Sequence, residues 1–141
     1  MMGDPRLEAL NRVAGFNLLN DIMLTDWRDG IGAVRVDLAP HHVNPIQLVH
    51  GGLFAAMLDV ALAMTGSFQP APAPLTPGLT LSLTTQFLAA ARPDDEFLVA
   101  EARRTGGGKS IFFASGEVLA PDRRIIATAS GVFKPGRPAP S

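Results

Sequence analysis

Apolar and polar positions fall into distinct patterns along the chain. In residues 5–19, Leu7, Leu10, Val13 and Ala14 recur at helical spacing, which predicts one short amphipathic helix. DIMLTDW (21–27) and IGAVRVDLA (31–39) read as strands, and the Arg-Asp-Gly between them as a hairpin turn. PHHVNPIQ (40–47) holds two prolines and an Asn and reads as a loop. From Gly51 to Gly66 the chain is made of good helix formers with few β-branched residues and Gly at both ends, which predicts a helix. It is apolar nearly all round, so it belongs inside the fold rather than on a surface. GSFQPAPAPLTPG (66–78) carries four prolines and reads as a stiff exposed loop.

Strand-like segments follow. GLTLSLTTQFLA (78–89) alternates, with Leu79, Leu81, Leu83 and Phe87 on one face and Thr80, Ser82, Thr84 and Gln86 on the other. EFLVAEARRT (96–105) leads into a GGGK turn, then SIFFASGEVLA (110–120), a PDR turn and RIIATASGVF (124–133). These fit an antiparallel meander. Residues 134–141, KPGRPAPS, read as a disordered tail. No repeat or linker divides the chain, so 1–141 is expected to form one domain. The fold class is α+β, with one long apolar helix wrapped by a curved antiparallel sheet.

Composition sharpens this. The chain has 141 residues, 47% hydrophobic and 18% charged, with a mean hydropathy of +0.20. So apolar a small chain should bury part of its surface against another subunit, and a homo-oligomer is expected. The net charge of −1 comes without a basic run, so no nucleic-acid partner is expected. With no cysteine there is no disulfide, thiolate nucleophile or cysteine metal site. MMGDPRLEAL lacks the features of a signal peptide, and Leu53–Met64 is too short to span a bilayer. The expected location is the cytoplasm.

One position stands out chemically. No Lys, Arg or Glu occurs from Leu38 to Ala91, and Asp59 is the single Asp in that stretch. A carboxylate away from water is costly unless it is paired or hydrogen-bonded, and mid-helix it cannot cap its own helix. Two readings stay open: a structural contact at an edge or interface, or a general base or nucleophile in a cleft. His50-Gly51-Gly52 is by itself a common turn, but it lies where the apolar helix should begin. Unpaired N–H groups and the positive end of the helix dipole gather there, an arrangement suited to an oxyanion hole. Asn44, before Pro45, reads as a turn residue, and Thr80 as a strand residue. His41, His42, His50 and Asp59 lack a recognisable metal-ligand spacing, and no metal is expected. TGGGKS lacks the spacing of a phosphate loop and lies between two strands, so it reads as a hairpin turn. Arg103, Arg104 and Lys109 still offer positive charge to a phosphate-bearing ligand.

Asn44, His50-Gly51-Gly52 and Asp59, at this spacing, resemble the hotdog-fold acyl-CoA thioesterases, in particular the phenylacetate-pathway (PaaI-like) branch. The resemblance extends over residues 5–134. It implies a central helix wrapped by an antiparallel sheet. It also implies a dimer, or a dimer of dimers forming a homotetramer, with active sites at the subunit interface. Asp59 would act as base or nucleophile on a thioester, across from the partner's His-Gly-Gly loop. The Gly51 N–H would polarise the carbonyl, Asn44 and His50 would orient the reacting groups, and Gly52 and Thr80 would help place substrate or water. Arg103, Arg104 and Lys109 are the expected phosphate contacts. No cofactor is implied, coenzyme A being part of the substrate. Gln47 stands where relatives commonly have Gly, which predicts a different path for the loop before His50. The proline loop predicts an altered acyl preference. The competing readings are a hotdog hydratase or dehydratase, a non-catalytic acyl-CoA binding module, and a purely structural oligomer. The acyl group, and coenzyme A against acyl carrier protein, are not legible.

Overall fold

The computed structural model describes residues 4–136. The N-terminal helix expected over 5–19 is broken into two: α1 (Pro5–Asn11) and α2 (Phe16–Leu19). Asp4 caps α1 by accepting the Arg6 N–H, and Pro5 opens it. The break falls at Gly15, whose φ of +153° no helix can contain. The two pieces form a hook. Arg6 ties the hook to the proline loop by pairing with Asp4 and donating to the Gln69 and Ala73 carbonyls at 2.7 Å each. Side-chain hydrogen bonds from Arg6 hold the Asp4 carboxyl below its usual range.

Next come β1 (Met23–Arg28) and β2 (Ile31–Asp37), the expected hairpin, turning at Gly30. A 3-10 turn over Pro40–His42 leads to α3 (Gly51–Met64). The last strands are β3 (Leu79–Phe87), β4 (Phe97–Gly107), β5 (Phe112–Leu119) and β6 (Ile125–Lys134). TGGGKS is the β4–β5 hairpin, as expected for a turn between strands. The six strands form one antiparallel sheet in the order β1-β2-β4-β5-β6-β3, with α3 packed on one face against β2 to β6. This is the hotdog arrangement. Of the tail expected to be disordered, Lys134 closes β6 and the Gly136 N–H donates to the buried Ser67 hydroxyl. The remainder, 137–141, lies outside the described residues.

The all-apolar character of α3 is satisfied by enclosure. Phe54, Met57, Leu58, Ala61, Leu62 and Met64 are buried against Val34, Val36, Leu98, Phe112, Val118 and Phe133 from the sheet. The less covered positions are Gly51, Gly52, Ala55, Ala56, Asp59 and Val60, a single flank of the helix. Close approach of helix to sheet depends on Gly32, where a Cβ would collide with the Ala61 carbonyl and lie 2.9 Å from Met64 Cβ.

The alternation expected along β3 is interrupted. A bulge between Thr80 and Ser82, opposite Phe133 and Val132 of β6, inserts one extra residue. It moves Thr80 onto the face of Leu83, which packs on the core, and leaves Leu79 and Leu81 64% and 47% exposed. The reading of Leu79, Leu81, Leu83 and Phe87 as one face, with Thr80 on the other, is therefore corrected.

The close approach at Gly32 is testable. Gly32→Ala should destabilise the fold by about 1–3 kcal/mol in urea unfolding, the usual cost of overpacking. Gly108→Ala, at a turn with open space around it, should stay within about 0.5 kcal/mol.

Candidate active site

The loop before α3 is built from its own side chains. Asn44 Oδ1 accepts the N–H groups of Ile46 and Leu48 at 3.1 Å each, and the Asn44 N–H donates to the Leu48 carbonyl at 2.7 Å. Within this turn Gln47 adopts φ +66°. That is the conformation glycine favours, so Gln47 carries strain there. The Val49 N–H donates to the Ala91 carbonyl and the His50 N–H to the His42 carbonyl, both at 2.9 Å, which pins the loop on both sides.

His50 is the N-cap of α3. Its Nδ1 accepts the Gly52 N–H at 2.8 Å, so in the neutral ring the proton sits on Nε2. The Leu53 N–H bonds the His50 carbonyl. Gly52's amide is thus committed to His50. Gly51's amide is the first N–H of the helix, and it has no partner among the described residues. Phe87 of β3 covers it closely: a Cβ at Gly51 would stand 3.3 Å from the Phe87 ring.

Asp59 lies two turns further along, half-buried. Thr80 donates its hydroxyl to Asp59 Oδ1 at 2.5 Å, the contact that the β3 bulge makes possible. Asp59 Oδ2 has no partner among the described residues. Gly51 and Asp59 are eight residues apart, roughly 12 Å along a helix axis. One protomer therefore cannot close both groups on a single carbonyl.

Asn44, His50, Gly51 and Gly52 come together at the start of α3, and Asp59 and Thr80 form a second group. Arg103, Arg104 and Lys109 join neither within a protomer. Arg103 pairs with Glu117 at 3.4 Å on the exposed side of the sheet. Arg104 donates to the Gly106 and Gly108 carbonyls and lies 5.8 Å over the Phe112 ring. Its main chain is joined through Gly30 to Thr65, which places it at the C-terminal end of α3. Lys109 is exposed in the adjoining turn.

His41 and His42 do not meet His50's ring or Asp59; they meet Asp21. His41 Nε2 is 2.6 Å and His42 Nε2 3.1 Å from Asp21 Oδ2. His42 Nδ1 accepts the Ala39 N–H, so its Nε2–H donates, to Asp21 and to the Asn20 carbonyl. Hydrogen bonding accounts for this buried ring, which latches the end of α2 to the loop before α3. Nothing in the sequence pattern pointed to Asp21, to Phe87 over Gly51 or to the bulge.

A hotdog fold with an uncommitted amide at the start of its helix and a hydrogen-bonded acid midway along it defines a class, and comparison with known proteins agrees. The profile of the thioesterase superfamily matches residues 46–127, and the chain belongs to that superfamily. A Pseudomonas aeruginosa protein named as an esterase is 34% identical over 106 residues, 75% of each chain. Zebrafish thioesterase superfamily member 2 superposes with a TM-score of 0.76 at 18% identity, over 94% of both chains. The E. coli PaaI protein of the phenylacetic acid degradation operon does so with 0.76 at 17%, over 93% of this chain and 91% of that one. The resemblance read from the sequence holds at the level of family and fold. Among the described residues no helix is long and apolar enough to cross a membrane.

The strain at Gln47 gives a test. Gln47→Gly should raise stability by up to about 1 kcal/mol, measured as an upward shift of the thermal midpoint, because glycine removes the left-handed penalty.

Proposed function

We propose that the protein is an acyl-CoA thioesterase that hydrolyses an acyl- or aryl-acyl-CoA to the free acid and coenzyme A. The observation that carries this reading is the pair on α3: a free Gly51 N–H, and an Asp59 carboxylate with one oxygen held by Thr80 and the other unengaged. Their separation of roughly 12 Å calls for two protomers. A two-fold pairing sets Asp59 of one protomer against the partner's Gly51, and does so twice. The free edge of β3, with Leu79, Leu81 and Phe87 exposed, supports pairing with a second copy there, as a dimer or as half of a tetramer.

In the proposed reaction the thioester carbonyl oxygen accepts the Gly51 N–H, where the helix dipole favours developing negative charge. Asp59 takes a proton from water as the water oxygen bonds to the carbonyl carbon. The C–S bond then breaks, and the CoA thiolate recovers that proton. Direct attack by Asp59 gives a mixed anhydride that water hydrolyses, with the same net balance. Thr80 fixes the carboxylate rotamer in either route. Asn44 shapes the loop that presents Gly51, and the His50 Nε2–H is available to substrate. Antiparallel pairing would carry the end of α3 beyond the partner's Gly51, which keeps Arg103, Arg104 and Lys109 as the proposed contacts for coenzyme A phosphates. A thiolate leaves readily, so no cofactor enters this chemistry.

Free-thiol release from a panel of acyl-CoAs tests the proposal. Asp59→Asn, at wild-type oligomeric state, should lose about a hundredfold in kcat, the scale expected for a positioned base. Thr80→Val should lose about tenfold in kcat with little change in KM, because it only frees the carboxylate. Wild-type protein that binds acyl-CoA without releasing thiol would instead make this a binding module. Formation or loss of an enoyl chromophore would make it a hydratase.

A further inference from the structure

Gly52, Ala56, Val60 and Met64 recur every fourth residue and form one row along α3. The row borders two hollows. One, of about 300 Å³, opens beside His50, Gly52 and Ala56. The other, of about 330 Å³, lies between Val60 and Met64 and the hook's Leu10 and Val13. Phe16 of α2 borders both. Together they follow the helix from Gly52 to Met64, roughly 18 Å at 1.5 Å per residue.

The walls of the deeper hollow are mostly aliphatic, and most polar side chains along the trough are already engaged, the His50 Nε2–H being an exception among the described residues. Asn11 donates to and accepts from the Leu24 main chain, Asn20 donates to the Phe16 carbonyl, and His41 and His42 are bonded to Asp21. Among the described residues Asn17 is the one bordering side-chain amide without a partner. Such a surface offers little to a hydroxyl or a charge. At ~30 Å³ for a water-sized group, the deeper hollow holds on the order of ten methylene-sized groups. An aryl-acyl group would fill the first hollow and leave the second empty. Val13, Ala14 and Gly15 lie between the end of α1 and the start of α2, so the break that separates the two helices shapes the wall.

We infer that this trough holds the acyl chain of a linear aliphatic thioester, with Phe16 at the junction setting which chains reach the deeper hollow. The inference rests on the thioesterase reading, which places the thioester carbonyl at Gly51, next in the chain to Gly52 at the upper end of the trough. Asp59 lies beside the row on the same less covered flank, leaving it free to meet the partner.

The test is kcat/KM for butyryl-, hexanoyl-, octanoyl-, decanoyl- and phenylacetyl-CoA, with calorimetric binding of free decanoate as a readout independent of turnover. Wild type should favour the longer chains. Val60→Phe fills the deeper hollow: it should keep butyryl-CoA within about twofold and lower decanoyl-CoA and decanoate binding at least about tenfold. Ala56→Phe, nearer the carbonyl, should lower hexanoyl-CoA as well. A preference for phenylacetyl-CoA that Val60→Phe leaves unchanged would overturn the inference. So would an equal loss on all substrates with altered assembly, which would make this face a subunit contact. If no ester is hydrolysed but Val60→Phe weakens decanoate binding, the thioesterase reading fails and the trough stands. If decanoate does not bind wild type, the trough falls.

Discussion

Enclosure of α3 is the constraint on which the rest of the molecule depends. Fourteen residues with one ionisable side chain cannot lie on a water-facing surface, so the sheet curves around them. Gly32 lets the helix approach β2, and the aromatic pair Phe112 and Phe133, with ring centroids 5.3 Å apart, fills the space under its far end. What remains uncovered is one flank of the helix, and the proposed chemistry lies on that flank. The same packing that hides Leu58 and Leu62 leaves Asp59 at the margin, where Thr80 satisfies one oxygen.

In the proposed reading one protomer is half a site, and enclosure explains why. A rigid helix fixes the distance between its first amide and a residue two turns on, and no side-chain rotamer shortens it enough. Using both groups on one substrate therefore requires a second copy. The exposed leucines of β3 point the same way, since an edge strand with apolar side chains and free main-chain groups is poorly suited to remain bare. Proposed catalysis and proposed assembly thus share one cause, the position of two residues on one helix.

Much of this was legible in the chain. Gly51–Met64 was marked by composition and bounding glycines, the first hairpin by Asp29-Gly30, and the strands by alternation. Asn44, His50, Gly51 and Asp59 were singled out by spacing and family resemblance; within a protomer the first three lie together at the start of α3 and Asp59 lies apart with Thr80. Periodicity missed events of a single residue. Leu7, Leu10, Val13 and Ala14 keep helical spacing across a chain that stops being helical, because Gly15 follows them. Thr80 looked like the outward member of an alternating strand until one inserted residue turned it to Asp59. Asp21 meets His41 and His42 from twenty residues away, a contact no local pattern encodes. The strain at Gln47, held at φ +66°, is likewise a single-residue event that no periodicity carries.

The most direct test of a site shared between protomers is complementation. Gly51→Pro removes the amide at the first helical position, where no helix hydrogen bond is lost and the Phe87 ring must yield slightly to the added ring, and Asp59→Asn removes the carboxylate. The two inactive variants, co-expressed or unfolded and refolded together, should recover about a quarter of wild-type thioesterase activity, since random pairing makes half the dimers hybrids and each hybrid has one intact site of two. No recovery, with hybrids demonstrably formed, would contradict the account by showing that Gly51 and Asp59 do not act together across the interface.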